Sequence, residues 1–138
     1  MIVYLDTSVI LRVLLREPNR TDLWGKWEKA YSSSLWRVEA LRTTDRLRLT
    51  REITDTEVAD MVRDIQALND TLAIFPLDSR TLQRASETFP TAIGTLDAIH
   101  LASAIFIREA QPIDLFLTHD SQLGTAARSL GFQVVGIR

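Results

Sequence analysis

The chain has 138 residues, of which 46% are hydrophobic and 25% are charged, and its formal net charge is -2. This profile is typical of one globular domain with one core, so we expect residues 1–138 to form a single domain. There are no cysteines and only two histidines, which excludes a disulfide framework, a thiolate zinc site and a histidine-rich metal site. Any metal ion would have to be held mainly by carboxylates, which favours Mg²⁺ or Mn²⁺.

The N-terminus has no basic region ahead of a long apolar stretch, so it does not resemble a signal peptide, and no segment approaches the length of a membrane span. We therefore expect a cytoplasmic protein with no membrane partner. The small net charge does not by itself indicate a nucleic-acid partner.

Short apolar runs alternate with helical patterns along the chain. Strands are predicted at residues 2–5, 31–34, 72–75, 115–117 and 132–135. Helices are predicted at 7–17, 21–30, 35–49, 95–109 and 121–130, with two more that begin after the capping residues Thr54 and Asp78. Strands that alternate with helices favour an α/β fold with a mostly parallel sheet covered on both faces. Ligands bind such sheets at the carboxyl ends of the strands.

Four acidic residues stand near the starts of predicted helices. Asp6 and Asp120 each follow a strand directly, and each could equally be an ordinary helix N-cap. Asp97 lies among apolar residues, where burial of its charge costs more than the helix dipole returns unless a cation compensates. Glu39 could be an ordinary helix residue paired with Arg42. The case for Glu39 rests on the other three acids.

The order of these motifs resembles the PIN-domain family, particularly the toxin component (VapC-like) of virulence-associated toxin–antitoxin pairs. The resemblance covers nearly the whole chain, and it rests on four segments: Leu5–Ser8, Ser34–Glu39, Gly94–Ala102 and Leu117–Asp120. It implies a Rossmann-like three-layer α/β/α fold and a divalent-metal-dependent ribonuclease that hydrolyses RNA phosphodiester bonds. It also implies one or two Mg²⁺ or Mn²⁺ ions, a cognate antitoxin protein as partner, and a homodimer.

The resemblance implies specific roles for the residues at matching positions. Asp6, Glu39, Asp97 and Asp120 are the expected catalytic and metal-binding residues, with Asp6 and Asp97 as the principal ligands. Thr7, Ser8 and Thr118 are expected to hold these carboxylates in place by hydrogen bonds. His119 is expected to point away from the site, and His100 to be a core or rim residue rather than a catalytic base.

Four arginines, Arg42, Arg46, Arg48 and Arg51, form the densest basic cluster and could bind RNA, although a solvated helix face explains them equally well. Trp24, Trp27 and Trp36 could stack bases or could belong to the core or to a partner groove. Two alternatives stay open: a non-catalytic RNA- or protein-binding domain with this fold, and an RNA-processing nuclease without an antitoxin. Haloacid-dehalogenase and receiver folds do not fit, because no lysine occurs beyond Lys29.

Overall fold

The computed structural model describes residues 1–137. Its five strands are β1 (Ile2–Leu5), β2 (Lys29–Ser33), β3 (Ala73–Phe75), β4 (Leu115–Leu117) and β5 (Val134–Val135). Its six helices are α1 (Thr7–Leu14), α2 (Leu35–Leu49), α3 (Asp55–Thr71), α4 (Ser79–Ala85), α5 (Thr95–Ala110) and α6 (Ser121–Ser129). No helix within this described range is long and apolar enough to cross a membrane.

The five strands form one sheet in the order β3-β2-β1-β4-β5, and every neighbouring pair is parallel. Alternate residues of β1 enter two different cores, because successive side chains of a strand point to opposite faces of its sheet. Val3 and Leu5 pack with α1, α2 and α3, whereas Tyr4 packs with α5 and α6. The predicted three-layer α/β/α arrangement is confirmed.

β1 lies between β2 and β4, and its carboxyl end adjoins that of β4. Leu5 is in register with Leu117, and the backbone amide of Asp6 donates to the carbonyl of Leu117 at 3.0 Å. Residues that follow these two strands therefore emerge side by side at one edge of the sheet. The expected meeting of Asp6 with the segment that carries Asp120 is a direct consequence of this register.

Helix termini follow their local sequence closely. Thr54 and Glu57 form the predicted capping box, and Asp78 accepts from the amide of Thr81 at 2.8 Å. Helix α2 has the predicted bounds, and α5 and α6 each differ from prediction by one residue at the C-terminus. Within α3, Met61 and Ile65 are buried, whereas Val62 is exposed.

The predicted helix at residues 21–30 is wrong. Gly25 adopts φ +79°, a left-handed conformation that interrupts an α-helix, and residues 29–30 belong to β2 instead. Trp24 and Trp27 pack edge to face with each other, at 5.2 Å between ring centroids, and against the core. A spacing of three residues is also typical of one face of a helix. Only the tertiary packing shows that this segment is not helical. Helix α1 also stops earlier than predicted, at Leu14, ahead of Arg16 with φ +54°.

Candidate active site

Asp6 is buried at the carboxyl end of β1, in the N-cap position of α1. Its side chain makes no capping hydrogen bond to the helix, so the explanation of Asp6 as an ordinary N-cap is wrong. Two hydroxyls hold the carboxylate instead: Ser8 Oγ donates to Oδ2 at 2.6 Å, and Thr118 Oγ1 donates to the same oxygen at 2.8 Å. The carboxylate is thus held by α1 and by the segment after β4.

Glu39 lies in the second turn of α2 and is only 23% exposed. Its Oε1 accepts a hydrogen bond from Thr7 Oγ1 at 2.7 Å and lies 2.6 Å from His100 Nε2. The alternative pairing with Arg42 is wrong, because Arg42 bonds to Asp45 at 3.0 Å. Glu39 therefore faces the interior of the site rather than solvent.

His100 is completely buried, and both of its ring nitrogens have partners. Nδ1 lies 2.7 Å from the Tyr4 hydroxyl, and Nε2 faces Glu39 and lies 3.5 Å from Asp6 Oδ1. Burial lowers the pKa of His100, but the hydrogen bond with Glu39 and the charges of Asp6 and Glu39 outweigh burial and leave the pKa raised. The complete burial of His100 confirms the prediction of a core or rim residue. The sequence did not predict the contact with Glu39, although a position one helical turn after Asp97 places His100 near the acids.

Asp97 lies in the first turn of α5 and is partly buried. Its carboxylate makes no hydrogen bond or ion pair with any other residue in the range 1–137, unlike the other three acids. Burial, followed by the negative charges of Asp120 and Asp6, raises the pKa of Asp97 from 3.8 to about 6. The charge of His100 lowers the pKa of Asp97 but only partly compensates these effects.

Asp120 caps α6, as its position after β4 suggested. Its Oδ1 accepts from the amides of Gln122 at 2.9 Å and Leu123 at 3.1 Å, and its own amide donates to Thr118 Oγ1 at 3.0 Å. The adjacent His119 directs Nδ1 to the carbonyl of Gly136 at 2.8 Å, away from the acids. The N-cap explanation therefore holds for one oxygen of Asp120.

The four acids lie at one edge of the sheet, and the charges of the other three all raise the pKa of Asp97. They do not form a ready-made ligand set: in residues 1–137, no three His, Cys, Asp or Glu side chains are placed so that they could hold a metal ion together. The donor chemistry suits Mg²⁺ or Mn²⁺, because all four groups offer carboxylate oxygens.

The arginines and tryptophans have different surroundings. The four arginines of the predicted basic cluster are all exposed, on α2 or just after it. Arg42 and Arg48 bind Asp45, whereas Arg46 and Arg51 form no ion pair with residues 1–137. Trp36 is fully buried and donates to Asn69 at 3.1 Å, so the prediction that it could stack bases is wrong.

The sequence of the chain matches one family of known proteins. Residues 3–128 match the family model described as PIN domain, and the chain belongs to that family. It is 34% identical to Ribonuclease VapC47 of Mycobacterium tuberculosis, over 94% of this chain and 93% of that protein. It is also 30% identical to Ribonuclease VapC46 of the same species, over 96% and 95% of the two chains. These relatives confirm the resemblance to VapC-like proteins.

A solved structure has the same fold. The crystal structure of VapBC2 from Rickettsia felis bound to a DNA fragment from their promoter aligns with a TM-score of 0.64, over 98% of both chains. The sequence identity in that alignment is 14%. The likeness therefore concerns the path of the backbone.

Proposed function

We propose that this protein is a divalent-metal-dependent endoribonuclease and the toxin of a toxin–antitoxin pair. The observation that carries the proposal is Asp97, a partly buried carboxylate without a partner in residues 1–137, whose pKa is raised to about 6 by burial and by the charges of Asp120 and Asp6. Perturbed carboxyl groups of this kind mark sites that act on ligands. Relatives named ribonucleases, at 34% and 30% identity, support the reaction class.

The residues present fit a hydrated Mg²⁺ or Mn²⁺ ion. Asp6, Glu39 and Asp120 each use one carboxylate oxygen in the hydrogen bonds described above, and within residues 1–137 the other oxygen makes none. Mg²⁺ usually keeps several waters and binds through one or two carboxylates, so separated carboxylates are compatible with it. When bound, one or two such ions would supply an activated water and would stabilise charge on the phosphate oxygens.

The four acids and the hydroxyls that bond to them would have different roles. We assign Asp6 and Asp97 as the principal ligands, directly or through water, and Asp120 and Glu39 as groups that complete the ligand set or orient the attacking water. Ser8 and Thr118 fix Asp6, and Thr7 fixes Glu39, so these carboxylates are preorganised before any ligand arrives.

We propose that the RNA backbone binds to the basic cluster in α2 and just after it. Arg46 and Arg51 are the members without an ion pair in the described residues, so they can contact phosphates without breaking an existing interaction. Arg42 and Arg48 would first have to leave Asp45. The partners we propose are an RNA substrate, a cognate antitoxin and a second copy of this chain, and the place of action is the cytoplasm.

The test is cleavage of a labelled single-stranded RNA by the purified protein with Mg²⁺ or Mn²⁺ and with a chelator. We expect metal-dependent cleavage that falls at least 100-fold in Asp97→Asn, since groups that only support a metal ligand already cost 10- to 100-fold. Asp70→Asn is the matched control. Asp70 lies near the C-terminus of α3, which leads into the amino end of β3. The acids lie at the opposite edge of the sheet, where the strands end, so Asp70 is remote from them.

Full activity in Asp97→Asn, or equal cleavage in the presence of the chelator, would contradict the proposed function. The absence of a ready-made three-ligand group also favours a second candidate, a non-catalytic RNA- or protein-binding domain. That candidate predicts RNA binding without cleavage and no thermal shift on titration with Mg²⁺. A DNA strand of the same sequence tests whether the substrate must be RNA.

A further inference from the structure

His100 connects the acids to the interior of the protein. Its helix, α5, also carries Asp97, while its partner Glu39 belongs to α2 and its partner Tyr4 belongs to β1. An imidazole with no exposed surface is costly to bury unless both nitrogens find partners, and here both do. The placement of His100 therefore fixes three elements relative to one another.

The hydrogen bond between His100 and Glu39 has a defined direction. A carboxylate can only accept, so Nε2, at 2.6 Å from Glu39 Oε1, carries a hydrogen and donates it. The Tyr4 hydroxyl lies 2.7 Å from Nδ1 and, like any phenol, keeps its proton at neutral pH. In the neutral ring this hydroxyl donates to Nδ1 and stabilises the tautomer with hydrogen on Nε2.

The second donor to Glu39 is Thr7 Oγ1, which also lies 3.1 Å from Nε2. Two donors thus converge on Oε1 and leave Oε2 as the oxygen without a hydrogen bond in residues 1–137. Because Asp97 and His100 are three residues apart on one helix, their side chains lie on the same face of α5. A bond from His100 to Glu39 consequently sets the position of Glu39 relative to Asp97.

We propose that His100 is a positioning residue that holds Glu39 at the acidic site, and that the Tyr4 hydroxyl holds the other ring nitrogen of His100 in place. The inference rests on the proposed function, because the reaction that Glu39 serves is the one proposed above. It assigns no direct contact with substrate to His100. The acid site is thereby coupled to the buried core through a Tyr–His–Glu chain.

The test uses His100→Leu, His100→Gln and Tyr4→Phe in the full-length protein. Mn²⁺ affinity is measured by electron paramagnetic resonance without RNA, and kcat and KM are measured separately on the labelled RNA. We expect His100→Leu to weaken Mn²⁺ binding and lower kcat by about 10- to 100-fold while KM changes little. His100→Gln, whose amide can still donate to Glu39, should recover most of the loss. Tyr4→Phe should show a smaller loss.

Tyr31→Phe is the matched control for Tyr4→Phe. It also removes a tyrosine hydroxyl, but that hydroxyl bonds to Gln111, at the end of α5 far from Asp97. Thermal unfolding of every variant identifies any that fails to fold. If His100→Leu does not fold, His100→Gln and Tyr4→Phe still carry the test, since each preserves the side-chain volume closely.

A positioning role also predicts a coupling between residues. In the Glu39→Gln background, His100→Leu should lower kcat much less than it does in the wild type, because the oriented group is already impaired. Equal losses in both backgrounds, or wild-type Mn²⁺ affinity and kcat in His100→Leu, would overturn the inference while Asp97→Asn remained inactive. A wild-type protein that neither binds Mn²⁺ nor cleaves RNA would overturn the proposed function, and this inference with it.

Discussion

The two halves of the acidic site are built differently. Asp6 and Glu39, the tied pair, each receive hydrogen bonds from two side chains, and those donors are buried or partly buried. Asp97 and Asp120, the open pair, receive no side-chain donor in residues 1–137; Asp120 is held only by backbone amides and Asp97 by nothing. The tied pair is anchored in the fold, whereas Asp97 is exposed to the repulsion of its neighbours.

This difference changes what it costs the protein to bury each pair of charges. Donors around Asp6 and Glu39 offset the cost of burying their charges, so these residues contribute to stability as well as to the site. At Asp97 the charge of His100 offsets only part of the cost of burial and of the neighbouring acids, and the pKa of Asp97 stays raised. A cation bound at the edge of the sheet would remove that cost, so ligand binding and folding should be coupled.

The largest effect on stability is expected from Gly136→Ala, next to the open pair. Gly136 has φ +108°, and a Cβ there would collide with the carbonyl oxygen of Thr118 and press on His119. Because Thr118 and His119 precede Asp120, the strain falls on the segment that places this acid. We expect a loss of about 2–4 kcal/mol in the free energy of unfolding, measured by urea denaturation.

Gly25→Ala is the control for that substitution. Gly25 also has positive φ, at +79°, but a Cβ there would meet nothing within 4 Å. It should cost only about 1 kcal/mol, the usual penalty of a left-handed alanine. Equal losses at the two positions would show that the close approach of Gly136 to Thr118 is unimportant.

Glu39→Ala should destabilise the protein without metal, in contrast to substitutions at Asp97. Its removal leaves Thr7 Oγ1 and His100 Nε2, both in buried residues, without their shared acceptor. A buried donor without a partner costs about 1–3 kcal/mol, which urea denaturation in the presence of a chelator can measure. Glu87→Ala, at an exposed position, is the control. A neutral result for Glu39→Ala would mean that the tied pair is not anchored as described.

Asp97→Asn should stabilise the metal-free protein, whereas Glu39→Ala should destabilise it. The sign of the change in the free energy of unfolding therefore distinguishes the open pair from the tied pair. A carboxyl pKa of about 6 instead of 3.8 corresponds to at most about 3 kcal/mol. Solvent that reaches this partly exposed group reduces the expected gain to about 1 kcal/mol. The gain should vanish or reverse at saturating Mn²⁺. Destabilisation of the metal-free variant would mean that the charge of Asp97 is fully compensated in the folded protein.

The smallest effect concerns pH. A carboxyl group with a raised pKa in the folded state binds more protons there than in the unfolded chain. The free energy of unfolding of the wild type therefore falls as the pH rises through this range. The advantage of Asp97→Asn over the wild type should therefore be absent below pH 4, grow through pH 6, and level off above pH 7. Paired urea titrations at these pH values measure the difference. An advantage that is independent of pH would assign it to another cause.

Local sequence predicted most of the architecture. The capping box at Thr54–Glu57, the cap at Asp78 and the bounds of α2 depend on neighbours within four residues, so they were readable from the chain. Residues 21–30 were misread as a helix because two tryptophans three apart satisfy a helical pattern. Their actual packing against the core depends on distant contacts, and the left-handed Gly25 between them interrupts the helical pattern.

The same division applies to the site. The sequence by itself singled out the four acids, since position after a strand and resemblance to a family are properties of short segments. Only the tertiary structure decided that Asp6 is not a helix cap, that Glu39 faces His100 rather than Arg42, and that Trp36 is buried. Each of these depends on residues more than thirty positions apart, and hydrogen bonds across such separations leave no periodic trace in the chain.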